Sequence, residues 1–177
     1  MTLQTIARPE PGEYRDYYAT YVDLVPDGDL VSLLAGQITE LHEVLDPLTE
    51  AQAMTVHAPF TWHIKQVVGH LIDVERIFGN RLHRFSANDL QAVPGMDHHI
   101  YVANQDSGSV TLASLVRELE CCRDANLLLL SRIRPSAWDL QAEADGHPVS
   151  VRAIAWILAG HVIHHLQIIR QRLAGEP

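Results

Sequence analysis

The segment SVRAIAWILAGHVIHHLQIIRQRL, residues 150–173, carries the clearest structural signal in the chain. Ser150 is an N-cap residue type, its hydroxyl suited to accept a backbone N–H of the first helical turn, and Gly175 follows as a stop. Between them Ile154, Leu158, His161, His165 and Ile168 recur at three- and four-residue steps, the row of a helix that turns one face to an interior. Two histidines interrupt this otherwise apolar row. Outward from it, three more segments read as helices. Asp27 or Asp29 caps the first, which Pro47 stops. Thr61 caps a second, from about Trp62 to Phe85, with the row Ile64, Val67, Leu71, Val74, Phe78, Leu82, Phe85. The third runs from about Thr111 to Arg134, ahead of Pro135. Residues 1–28 read as an irregular arm with a short helix near Tyr14–Tyr21, and residues 29–177 as the bundle itself.

Residues 86–109 and the connector from Ser136 to Pro148 read as loops, without strand alternation. Four helices near 20 residues each define an all-α four-helix bundle. The long link between the second and third is a crossover, so simple up-down-up-down winding is not required.

Composition narrows the function. The chain has 177 residues, 47% of them apolar, enough for a core without staples. A formal net charge of −9 with 13 Lys and Arg argues against nucleic-acid binding and against an anionic membrane surface. No apolar run approaches the roughly 18 residues of a membrane span. Met1 to Tyr14 does not read as a signal peptide. Cys121 and Cys122 are neighbours on a helix and point apart, which suits a reducing cytoplasm.

The 11 histidines carry the chemistry. His161 and His165, four apart, share one helix face one turn apart, so both imidazoles can reach one ion. Buried imidazoles need partners, which either a metal or hydrogen bonds at the core edge would supply. No glutamate stands between them in the His-Glu-x-x-His order of a metalloprotease. A third ligand would come from His70, on the apolar face of the second helix. Three histidines leave a coordination position open, the form of a catalytic site. His164, three from His161, competes with His165. His98 and His99 either approach the site or face solvent. Asp73 and Glu75 either orient ligands or pair with Arg76 and Arg81.

Trp62 through Arg76, with His70 and its acidic tail, together with Gly160-His161-x-x-His164-His165 and Pro94-Gly95-Met96-Asp97, resembles the DinB/YfiT family over roughly residues 30–173. The resemblance implies a four-helix bundle of non-simple topology, a metal site of His70, His161 and His165, zinc or nickel as the ion, and frequently a homodimer. Relatives include bacillithiol S-transferases, mycothiol-dependent maleylpyruvate isomerases, and proteins described as hydrolases or stress-induced. The expectation is a cytoplasmic, metal-dependent enzyme acting on a small molecule, transferring a low-molecular-weight thiol to an electrophile. The alternatives are a metal-dependent hydrolase, with Asp73, Glu75 or Asp97 as base, and a non-catalytic metal-binding stress protein.

Overall fold

The computed structural model describes residues 6–175; the first five residues, part of the segment read as lacking a signal peptide, lie outside it. Seven helices and one hairpin follow in order: α1 Ala19–Val22, α2 Leu30–Leu45, α3 Glu50–Ala53, α4 Ile64–Ser86, α5 His98–Asn104, α6 Leu112–Leu130, β1 Gln141–Ala144, β2 His147–Ser150 and α7 Val151–Ala174. No helix among the described residues is long and apolar enough to cross a membrane.

The long helices begin at side-chain caps. Asp29 accepts from Val31 N, Thr111 from Ser114 N, and Ser150 from Ala153 N. The cap of α4 is His63 rather than Thr61: its ring nitrogen accepts from Gln66 N while the Gln66 side-chain oxygen accepts from His63 N. This is a capping box in which imidazole does the work of a hydroxyl. Gly175 ends α7 in the left-handed region, at φ 73°. The third long helix stops at Leu130, four residues short of the expected Arg134.

Two stretches read as loops carry structure. The crossover contains α5, capped by Asp97. The connector before α7 holds the antiparallel pair β1–β2, turned by Asp145 and Gly146, both at positive φ (58° and 73°). Asp-Gly is the residue pair that such a two-residue turn favours.

The apolar core falls into two clusters, and each long helix contributes to both. Their order along the chain gives the helix directions. Helices α2 and α7 pass from the cluster around Leu34, Phe78 and Ile154 into the one around Leu41, Val68 and Leu166, whereas α4 and α6 run the other way. The bundle is therefore up-down-down-up. Both α2 and α4 pack on α6 and α7, and the crossover lets α4 and α6 lie side by side in parallel.

Between the clusters lies a polar layer. Arg123 of α6, 1% exposed, is bonded by Nε to Glu75 of α4 (3.1 Å) and by Nη1 to Gln37 Oε1 (2.8 Å) and the Leu34 carbonyl of α2 (2.9 Å). Asn126 gives a further bond to Glu75 Oε2 (2.7 Å), and Gln37 Nε2 donates to the Ala159 carbonyl of α7 (2.7 Å). One hydrogen-bonded set thus joins all four long helices. Truncating one partner would strand a buried charge. Arg123→Ala is expected to cost about 3–5 kcal/mol of unfolding free energy in urea titration; a loss under about 1 kcal/mol would mean that Glu75 finds another partner or water.

Candidate metal centre

Helices α4 and α7 lie antiparallel against one another, which brings His70 opposite His161. The Nε2 atoms of His70 and His161 are 3.0 Å apart, and those of His161 and His165 are 3.1 Å apart. The three residues each offer a ring nitrogen within 4.8 Å of the other two, and no other group of three or more His, Cys, Asp or Glu among the described residues converges so. All three are buried. It is His165, one full turn from His161, that joins the set. His164 turns its ring edge to Tyr21 and His165 instead.

This donor set fits a divalent cation. A tetrahedral site with metal–nitrogen bonds of 2.0–2.1 Å separates its nitrogens by about 3.3 Å, close to what the structure holds. An imidazole nitrogen has one in-plane lone pair, so His161 Nε2 cannot fully satisfy two N–H donors at once, whereas a cation takes one lone pair from each ring. The rings are also held ready in the neutral form. Burial, reinforced by the neighbouring imidazoles, brings His70 down to about 4 and holds His161 and His165 well below the ordinary histidine value.

The carboxylates singled out in the sequence go elsewhere. Glu75 is committed to Arg123 and Asn126. Asp73 accepts from Gln105 Nε2 at 2.9 Å, and burial raises its carboxyl. Asp97 caps α5 through His99 N. None orients a histidine, and His70 Nδ1 is buried with no partner. Nor do Asp73 and Glu75 pair with the arginines expected: Arg76 binds Glu118, and Arg81 donates to the Pro94 carbonyl.

The three histidines open onto a chamber of about 460 Å³. Its walls include residues that sequence spacing did not flag. Trp62 lies against His70, ring centroids 5.4 Å apart, and His98 packs on both at 5.8 and 5.6 Å. His98 is therefore a wall residue, while His99 stays exposed. Tyr21 presents its ring edge-on to His161 at 5.2 Å and joins its hydroxyl to that of Tyr17 at 2.9 Å. Burial raises the Tyr21 phenol far above its usual range, so it stays protonated. The one sequence signal for Tyr21 is Gly160: a Cβ there would sit 2.0 Å from the Tyr21 carbonyl oxygen. Only glycine beside His161 lets the N-terminal segment come this close.

The fold has solved counterparts. YfiT from Bacillus subtilis, described as a probable metal-dependent hydrolase with an unusual four-helix bundle topology, superposes with a TM-score of 0.75 at 17% identity, over 84% of this chain and 87% of its own. A mycothiol-dependent maleylpyruvate isomerase superposes with a TM-score of 0.65 at 12% identity; the match covers 82% of this chain but only 61% of that enzyme. No curated protein matches the sequence. The sequence model of the DinB superfamily matches residues 33–169, which takes in most of every long helix and all three converging histidines. The chain belongs to the DinB superfamily.

Proposed function

We propose that this protein is a metal-dependent enzyme that joins a low-molecular-weight thiol to a small electrophile, with His70, His161 and His165 holding the ion. The carrying observation is the chamber itself: three neutral imidazoles converge in its wall, and its one lining carboxylate, Asp145, is bonded to Arg15 at 3.3 Å. A hydrolase needs a base to activate water, and Asp73, Glu75 and Asp97 all lie outside the lining. Thiol transfer makes a smaller demand. When bound, zinc or nickel supplies Lewis acidity that favours the thiolate form of a thiol. The protein's part is to hold and to shield. Trp62 and Tyr21 stand beside the histidines in the chamber wall, and the Tyr21 hydroxyl offers a donor that stays protonated.

His164, half-buried in the same lining, supports a second reading. An imidazole base within the lining would serve a metal-dependent hydrolase, the activity by which YfiT is described. A non-catalytic metal-binding stress protein is the third reading, and turnover in the assay below would exclude it. Homodimerisation and a cytoplasmic setting belong to the same proposal, the first on family resemblance and the second on two free cysteines. So does treating residues 29–177 as the bundle, with the preceding segment completing the chamber.

Elemental analysis after incubation with zinc or nickel should find about one equivalent per chain, lost in His161→Ala and reduced in His70→Ala and His165→Ala. A full equivalent retained by all three variants would remove the histidines from the site. The loaded protein should then conjugate thiols to an electrophile such as monochlorobimane faster than the His161→Ala variant. Ester hydrolysis without thiol conjugation would instead favour the hydrolase.

The metal-free protein has its own signature. The unfolded chain takes up protons at histidines near pH 6.5, while the folded chain holds His70 unprotonated to about 4. Below pH 6.5 the unfolded state therefore binds more protons, and folded stability falls as pH drops through this window. In chelator, the melting temperature should be lower at pH 5 than at pH 7, and His70→Gln should flatten the slope. A wild-type profile with no slope would contradict the neutral histidine cluster.

A further inference from the structure

One face of α4 carries His70, Val74, Phe78 and Arg81 at steps of four, four and three residues. These positions stack along the helix over about 16 Å. On α7, Ile157 stands one turn before His161, as Val74 stands one turn after His70, and both line the chamber. The space next to the histidines is thus apolar, and Phe78 extends it. Beyond Phe78 the chamber meets a pocket of about 10 Å³, room for about one water-sized group, which shares Arg15, Tyr18, Phe78 and Asp145 with it and adds Arg81.

Arg81 is the anomaly at this end. It is 4% exposed, yet no carboxylate forms an ion pair with it among the described residues; it donates to the Pro94 carbonyl at 2.9 Å and lies over the Phe78 ring at 4.7 Å. Buried arginine without an acid is costly. Arg15, half-exposed, gives only Nη1 to Asp145, at 3.3 Å. Two guanidinium groups therefore face one carboxylate, leaving the end of the chamber with a net positive charge.

We propose that Arg81 and Arg15 form an anion subsite at the end of the chamber opposite the histidines. Its ligand class is an elongated acid: a carboxylate at the arginines, one oxygen in the water-sized pocket beside Arg81 and the rest in the chamber beside Arg15, an apolar body along Phe78, Val74 and Ile157, and a reacting atom at the histidines. The assignment of that last end rests on the metal reading above; the carboxylate end does not.

Calorimetric titration of the metal-free protein in chelator with octanoate and with octan-1-ol tests the subsite alone. The acid should bind about ten-fold more tightly, as a charge-assisted pair gives, and Arg15→Met and Arg81→Met should each remove that preference. Arg15 is a surface residue, so its variant reports even if Arg81→Met fails to fold. Equal binding of acid and alcohol by wild type, or a preference kept by Arg15→Met, overturns the proposal. With zinc added, 11-mercaptoundecanoate should bind about ten-fold more tightly than 3-mercaptopropionate, too short to span both ends; equal affinities overturn the spanning geometry. Acid preference without zinc uptake would keep the subsite and reject the metal centre. Zinc uptake without acid preference would do the reverse.

Discussion

The buried set around Arg123 and Glu75 is the constraint from which the rest of the architecture follows. Apolar contacts alone tolerate a helix sliding or turning by a residue; a charged pair with fixed hydrogen-bond partners does not. Arg123 spans from α6 to α2 and α4, and Gln37 carries the connection to the Ala159 carbonyl on α7. That carbonyl is two residues before His161. The register that brings His161 opposite His70 is thus set by the same bonds that satisfy the buried guanidinium. Replacing such a set with apolar residues often leaves stability unchanged or higher, so its value here lies in alignment.

The N-terminal segment completes what the bundle begins. Glu13 binds Arg152 and the Ser150 hydroxyl at the start of α7, and Ser150 N donates to the Glu13 carbonyl at 2.9 Å. From that anchor the chain runs along α7 to Tyr21, which touches down at Gly160. Three tyrosines so delivered roof a chamber that the four long helices would leave open.

Much of this was legible before the structure. Helices of 16 to 24 residues with three-and-four periodicity announce themselves, and a pair of histidines four apart on an inward row marks a face. What escaped has physical causes. The hairpin before α7 is only four residues a side with mixed burial, too short for alternation to emerge, although Asp145-Gly146 was there to be read. His63 as a cap was hidden because imidazole seldom does that work. Glu75 lies five residues from His70 and suggested a role beside it; its partner, Arg123, is 48 residues away in sequence, and no local pattern announces so distant a pairing. Tyr21 and Arg15 became wall residues through the same kind of long-range contact.

The parallel packing of α4 and α6 bears on how the chain folds. An up-down-up-down bundle can assemble from helical hairpins, each closing a short loop. Here α4 and α6 become neighbours only after the whole crossover has been laid down, and α2 meets its partners on α6 and α7 across separations of 86 and 122 residues. Contacts this remote must be won against loop-closure entropy before they contribute. The chain should therefore fold more slowly than other helical bundles of its size, at a rate nearer that of mixed α/β domains, with the middle polar layer among the last features to form.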